Sequence, residues 1–576
     1  MKYSSIPSAQ TVVYHCKAKG IHTIVISPGS RNAPLTIGFT EEPTFKCYSI
    51  VDERCAAFFA LGIAQQSQKP VALICSSGSA LLNYYPAIAE AYYSDVPLVV
   101  ITADRPPNKI DIGDGQTIRQ ENVFQNHIGY SANLKLDIRN TKSLGSTDDE
   151  RTKQESNQQY NEDQVLTALE IAFRDNMPVH INVPFEEPLY EVVEMPTIKT
   201  MVTARNEQVR PVVDDLEQYI VLWNTSKRKM ILVGVHYPDQ KVQRLLDAVA
   251  NDPSVIVFTE TTSNLHHPNF FGSIDSIIAP IEKAQNKEAL FQELRPEILL
   301  TFGGLIVSKK IKAFLRKFHP SHHWHIDPKK ANDTFFCLSH HFKVEPSRFF
   351  EAFNRRLLSQ ESNYFNYWDQ VKRGYQLKRQ EYFAQIAFSD MLAFHHIFKN
   401  IPSGNQLQLA NSSTIRYAQL FDLDPSLNVF CNRGTSGIDG STSTAIGASI
   451  VKEEPTLFIT GDLSFFYDSN ALWNNYIRSD FRIIVLNNEG GGIFRILPGQ
   501  EDTENFETFF ETVHQLDASH LCGMYQMEYQ KAENEKELGL ALDTFFDKSD
   551  QPKLLEIKTP RVLNNKILLS YFDFIS

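Results

Sequence analysis

The 576-residue chain is 42% hydrophobic, 22% charged and 11% aromatic, with 26 Gly and 28 Pro. That globular profile excludes a disordered, collagen-like or coiled-coil chain and leaves room for about three domains, each with its own core. Lys and Arg total 56 against 68 Asp and Glu, a net charge of −12, which argues against nucleic-acid or anionic-membrane partners but permits small anions bound by local Arg clusters. No apolar run approaches the roughly 18–20 residues of a membrane span, and Met1–Gln10 carries no apolar leader core. The seven cysteines include no C-x-x-C pair, so a cytoplasmic protein with reduced thiols is expected.

His22–Ile26 reads as a short strand that stops at Ser27-Pro28-Gly29-Ser30. Tyr48–Val51 is a second strand, followed by helical apolar spacing over Glu53–Gln66. Val71–Cys75 ends in Ser76-Ser77-Gly78-Ser79, Ala80–Tyr93 is helical, and Pro97–Thr102 runs into Ala103-Asp104-Arg105-Pro106-Pro107. Short apolar strands alternating with helices predict a parallel sheet covered on both faces, with function at the carboxyl ends of the strands. Asn140–Gln164 is polar and aperiodic and reads as an exposed loop or insertion. His180–Pro184 is one more strand, and Glu186–Arg210 reads as a linker. The pattern restarts at Lys229–Val235, Ser254–Thr259, Glu297–Gly303 and His322–Ile326. An aromatic, charged helical stretch, Phe349–Phe388, leads to Gln406–Ala410, Asn428–Cys431, Thr456–Thr460, Arg482–Leu486 and Lys553–Ile557. The expected fold is therefore α/β, with three doubly wound parallel-sheet domains at 1–190, 205–350 and 375–576. No close sequence repeat joins the blocks, so any relation between them lies in topology.

Two strand-end turns carry the most specific chemistry: Gly461-Asp462-Leu463-Ser464, and, after a connecting segment, Asn487-Asn488-Glu489-Gly490-Gly491-Gly492. The Asp462 carboxylate, an Asn amide oxygen and a free backbone carbonyl are hard oxygen donors of the kind Mg²⁺ takes beside a diphosphate. Arg31, Arg105, Arg119, Lys309-Lys310, Arg416 and Arg433 fall at or near such strand ends and suit a substrate with several carboxylates, although any one of them alone reads as a solvated ion pair. His319, His322, His323 and His325 alternate across a strand, so a structural role outweighs zinc. There is no G-x-G-x-x-G, no phosphate-binding P-loop and no hydrolase elbow.

Taken with Glu53 in Asp52-Glu53-Arg54, the two turns resemble the thiamine-diphosphate motif, with Leu463 where a third glycine is usual. Ser27–Arg31, Asp52–Gly62, Thr102–Pro107, Asn432–Gly440, Gly461–Ser464 and Asn487–Phe494 together resemble one family, the menaquinone-pathway 2-succinyl-5-enolpyruvyl-6-hydroxy-3-cyclohexene-1-carboxylate synthases. The resemblance implies the three-domain thiamine-diphosphate enzyme fold, with pyrimidine-binding, central and diphosphate-binding domains, and thiamine diphosphate with Mg²⁺ (or Mn²⁺ in its place) as cofactors. It implies decarboxylation of 2-oxoglutarate and 1,4-addition of the succinyl-semialdehyde carbanion equivalent to isochorismate. It implies a homodimer or homotetramer with active sites at the subunit interface.

By matching position, Glu53 serves the cofactor's N1′ with a raised pKa. Ile438 is the apolar wedge under the bent cofactor, Gln116 is the polar group near its reactive carbon, and Arg31 joins them in the catalytic set. Gly461, Asp462, Leu463, Ser464, Asn488, Gly490, Ile493 and Phe494 line the cofactor, with Asp462, Asn488 and Gly490 on the metal. Ser30, Arg31, Arg105, Gln116, Lys309, Ser412, Arg416, Arg433 and Phe494 meet substrate. The chain departs from the family at Asp114-Gly115 before Gln116, at Lys310 in place of Arg, and at Glu489 in place of Asn. Rival readings are an acetolactate-synthase-like decarboxylase and a non-catalytic ligand sensor.

Overall fold

The computed structural model describes residues 2–138, 148–198, 216–496 and 503–576. Two compact units divide the chain: Met1–Gln208 with Gly434–Glu453 and Phe466–Arg478, and Val209–Arg433 with Glu454–Phe465 and Ser479–Ser576.

The first unit holds a six-stranded sheet of β1 (Thr23–Ile26), β2 (Lys46–Ser49), β3 (Val71–Cys75), β4 (Leu98–Asp104), β5 (Tyr130–Asn133) and β6 (Val179–Pro184), all parallel, in the order β2-β1-β3-β4-β6-β5. The second unit holds two such sheets. One contains β7 (Lys229–Val233), β8 (Val255–Thr259), β9 (Phe270–Phe271), β10 (Ile298–Phe302), β11 (His322–Ile326) and β12 (Leu338–Phe342), ordered β9-β8-β7-β10-β11-β12. The other contains β13 (Gln406–Leu409), β14 (Asn428–Cys431), β15 (Thr456–Gly461), β16 (Arg482–Asn487), β17 (Glu528–Ala532) and β18 (Lys553–Lys558), ordered β14-β13-β15-β16-β18-β17. The three parallel-sheet domains expected from the sequence are present. The first and third sheets share one strand order, while the central sheet follows the dinucleotide-fold order. Central strands such as Val71–Cys75 and Ile298–Phe302 are buried along their whole length, as strands covered on both faces must be.

Helix packing in the first unit explains two of the sequence motifs. The Glu53–Ser67 helix crosses the Ser441–Ser449 helix at bare backbone. A Cβ on Gly62 would lie 2.0 Å from the Thr444 carbonyl, one on Gly447 2.0 Å from the Phe59 carbonyl, and one on Gly440 2.1 Å from the Phe58 ring. Glycine is required at these positions for close approach.

The structure corrects several elements. Residues 148–164, expected as loop, belong to a helix over Asp148–Asp175, and 140–147 lie outside the described residues. Val165, Ala168, Leu169 and Ala172 bury its second half. Its first half docks through amides instead: Gln154, Asn157 and Asn161 bond the 135–138 backbone and Asp137. A polar docking face leaves no apolar period to read. The Ala80–Tyr93 helix is two pieces, Ala80–Asn83 and Tyr85–Ser94, with Pro86 in the first turn of the second. The Phe349–Phe388 stretch divides into helices Pro346–Phe353 and Tyr364–Phe383. Of the Glu186–Arg210 linker, Val192–Val193 pairs antiparallel with Tyr3–Ser4, and 199–210 lie outside the described residues. No described helix is long and apolar enough to cross a membrane.

Candidate active site

In the first unit, Asp52 caps the Glu53–Ser67 helix, its carboxylate accepting from the Cys55 N–H at 3.2 Å. The cap is therefore not Glu53, whose carboxylate accepts from the Asn83 amide at 3.5 Å. Partial burial, and then the Asp52 charge, push the Glu53 carboxyl above its ordinary range. The turn that carries it is braced by residues 467–470. Arg54 donates to the Tyr467 carbonyl at 2.9 Å and lies 3.7 Å from Asp468, while Asn470 donates to Asp52 at 2.8 Å. Asp468 is buried, also accepts from the Ser443 N–H and hydroxyl, and is raised by burial to about 7.

Arg31 is buried. It donates to the Phe185 carbonyl at 3.1 Å and to Glu187 at 3.0 Å, and Arg105 lies 3.9 Å from the same Glu187 oxygen. The structure thus brings two of the expected carboxylate binders onto one carboxylate oxygen. Ser30 is exposed beside them, and Gln116, at φ 56°, is exposed with its backbone against Gly78. Arg119, also considered for anion binding, sits on the surface paired with Asp111 at 2.8 Å. Glu90, fully buried, accepts from the Gly434 and Thr435 N–H groups at 2.6 Å each and from the Thr435 hydroxyl at 2.8 Å. It anchors the loop that carries half-buried Ile438.

In the second unit, β15 ends at Gly461 and a short helix begins at Asp462, with Leu463 and Ser464 in its first turn. Asp462 accepts from the Leu463 N–H at 2.6 Å and the Gly490 N–H at 3.0 Å, so one carboxylate joins both turns. His514 Nε2 is 3.4 Å from its outer oxygen. Buried Asn488 donates its amide N–H to Asp390 at 2.9 Å, while its Oδ1 is buried with no hydrogen-bond donor among the described residues. Asp390 also accepts from Thr559 at 2.5 Å and is raised by burial to about 6. An amide locked by its nitrogen with its oxygen unsatisfied fits an oxygen-seeking cation. Among the described residues no group of three His, Cys, Asp or Glu could hold a metal, so such a site must draw on amide and backbone oxygens. Ile493 and Phe494 follow, half-buried, in the Gly492–Ile496 turn.

Ser412 precedes the Ser413–Ala418 helix at φ 66°, a strained position for a residue with a side chain. Arg416 projects from that helix, and the Arg433 guanidinium donates to Asn411 at 2.7 Å. The Nε atoms of both arginines are buried without an acceptor among the described residues. Burial and the Arg433 charge lower the Arg416 pKa. Lys309 opens the Lys309–Lys317 helix, exposed and without an ion pair among the described residues, whereas Lys310 pairs with Glu282. The histidines of β11 are structural: the Thr301 hydroxyl meets His323 at 2.9 Å and His325 at 2.8 Å.

Two comparisons bear on this arrangement. The thiamine pyrophosphate enzyme N-terminal TPP binding domain matches residues 8–132, and the corresponding C-terminal TPP binding domain matches 411–557. A 2-succinyl-5-enolpyruvyl-6-hydroxy-3-cyclohexene-1-carboxylate synthase of Christiangramia forsetii is 57% identical, with all of both chains covered. Those of Flavobacterium johnsoniae and Flavobacterium psychrophilum are 52% and 54% identical over 99% of each chain. The chain belongs to this synthase family. Motif reading passes over five residues that contact the expected site residues or the turns carrying them: Asp390, Glu90, Asp468, Asn411 and His514. Each lies apart from its partner in sequence, so no local spacing announces it. Asp390 is the exception in kind, because Ser389-Asp390 reads as a helix start, and the Ser389 hydroxyl does cap that helix.

Proposed function

We propose that this chain is a thiamine-diphosphate- and Mg²⁺-dependent carboligase that decarboxylates 2-oxoglutarate and adds the resulting four-carbon unit to isochorismate in 1,4 fashion. Bound thiamine diphosphate supplies the nucleophilic carbon and the electron sink for loss of CO₂. The observation that carries the reading is the Asp462–Asn488–Gly490 arrangement, with an unsatisfied Asn488 oxygen between two strand-end turns. Asp462, Asn488 Oδ1 and the Gly490 carbonyl would hold Mg²⁺ on the diphosphate.

Glu53, whose carboxyl partial burial pushes above its ordinary range, would hydrogen-bond N1′. Ile438 gives the cofactor an apolar support. Arg31 and Arg105, and separately Lys309, Arg416 and Arg433, take substrate carboxylates, with Ser30, Ser412 and Gln116 as hydrogen-bonding neighbours. Ile493 and Phe494 wall the pocket from water. We place the enzyme in the cytoplasm, where its seven free cysteines stay reduced. We assign it a homodimer or homotetramer with active sites at the subunit interface. The test is product mass: purified protein with both substrates and both cofactors should yield the succinylated cyclohexene carboxylate. Release of succinic semialdehyde alone would overturn the acceptor assignment.

A further inference from the structure

Residues 503–518 are joined to the Asn487–Gly492 turn at several points, and Glu511 contributes twice. Its backbone carbonyl accepts from the Gly491 N–H at 2.6 Å, so close that a Cβ on Gly490, at φ 151°, would lie 2.7 Å from that oxygen. Its carboxylate, fully buried, takes a two-pronged contact from Arg495, with Nη2 at 2.6 Å from Oε2, and a second guanidinium, Arg561, at 2.6 Å. Arg495 lies in the Gly492–Ile496 turn that continues directly from the glycines, and is itself buried. Arg561 also reaches Glu507 through both terminal nitrogens at 3.1 Å. On either side, the His514 N–H donates to the Glu489 carbonyl at 3.2 Å and the Asn487 amide to the Leu516 carbonyl at 2.9 Å.

One residue therefore fixes the glycine turn at its middle, through the main chain, and at its far end, through Arg495. One buried and one partly exposed guanidinium on a buried carboxylate are strongly directional, so they hold geometry more than they add stability. The solvent side of the same segment is apolar, with Phe509 at 77% and Phe510 at 55% exposure. Buried Phe506 and Ala518 anchor the segment's inner side, and the ion pairs and backbone bonds fix its register against the glycine turn.

We propose that Glu511 is a positioning residue which, clamped between Arg495 and Arg561, sets the shape of the Asn488–Gly491 turn for Mg²⁺ without touching the ion. The proposal rests on the metal-site reading above. Neutralising the clamp should weaken metal and cofactor retention and leave substrate recognition alone.

The test compares Glu511→Gln, Arg561→Gln, Arg561→Lys and Asp462→Ala in the full-length protein, using calorimetric Mg²⁺-dependent thiamine diphosphate binding and Mn²⁺ binding by electron paramagnetic resonance. Outer partners of metal ligands typically change affinity about 10- to 100-fold, and a loss of that size is expected for Glu511→Gln and Arg561→Gln. Arg561→Lys should recover much of it, and KM for 2-oxoglutarate at saturating metal and cofactor should stay within about twofold of the parent. If Glu511→Gln does not fold, Arg561→Gln, on the solvent side of the cluster, carries the test. Wild-type affinity in the folded clamp variants, with affinity lost in Asp462→Ala, overturns the clamp alone. Wild-type affinity in Asp462→Ala overturns the metal-site reading on which the clamp rests.

Discussion

Gly62→Ala should injure the enzyme at a distance. Its new Cβ would lie 2.0 Å from the Thr444 carbonyl and 2.7 Å from the Ala448 N–H, both backbone atoms of the Ser441–Ser449 helix. Ordinary contact begins near 3.4 Å, so the helices must part by roughly 1.4 Å. Overpacking of this kind costs about 1–3 kcal/mol, or on the order of 2–4 °C in melting temperature per kcal/mol for a unit of this size. The consequence for function is larger. The helix carrying Gly62 begins at Glu53, and the helix it meets follows directly on Ile438 and Gly440. A shift of about 1 Å in a reacting group is enough to lose about 100-fold in rate. The assay is a thermal melt beside turnover at saturating substrates. Gly447→Ala meets the Phe59 carbonyl at 2.0 Å from the opposite side of the same crossing. One separation relieves both clashes, so the double variant should cost less than the two singles together. Wild-type melting and turnover in Gly62→Ala, or strict additivity with Gly447→Ala, would refute the account of this crossing.

Glu53→Gln should fold and still bind thiamine diphosphate but lose most turnover, and exchange of the cofactor's C2 proton followed by NMR should slow with it; undiminished exchange would remove Glu53 from that role. Asp468 is raised from its ordinary value to about 7, so the folded state binds the proton more tightly than the unfolded chain does, and its contribution to stability falls as pH rises from about 4 to about 7. Asp468→Asn should flatten that part of the stability–pH profile, and an unchanged slope in denaturant titrations would contradict the assignment. With the proposed interface sites, Glu53→Gln and Asp462→Ala should recover about a quarter of intact sites when equal amounts exchange subunits, because a mixed dimer would keep one site with both groups; no recovery despite demonstrated exchange would argue for sites complete within one chain.

Most of the three-sheet architecture was legible because buried parallel strands leave short, nearly continuous apolar runs, as in Val71–Cys75 and Ile483–Val485. Four strands of the three large sheets that escaped notice, Tyr130–Asn133, Phe270–Phe271, Leu338–Phe342 and Glu528–Ala532, all lie at sheet edges. Three of them are partly exposed and polar, and Phe270–Phe271 spans only two residues. Lys46–Ser49, also an edge strand, was displaced by two residues in the reading for the same reason. The helix over Asp148–Asp175 was hidden by docking through Gln154, Asn157 and Asn161 rather than through apolar side chains. The candidate site could be read where chemistry demands a residue type at a strand end, as with Asp462, Asn488 and Glu53. It was illegible where a residue only orients another: the Asp390 carboxylate on Asn488, Glu90 beneath the Gly434–Thr435 loop, and Glu187 between Arg31 and Arg105 are long-range partners of groups whose own motifs are local.

The most direct test of the carboligase assignment is the loss of isochorismate ultraviolet absorbance with purified protein, 2-oxoglutarate, thiamine diphosphate and Mg²⁺, each omitted in turn. The account predicts that absorbance falls only when all are present together. Absorbance that stays constant in the complete mixture, while 2-oxoglutarate is consumed or left intact, would contradict it.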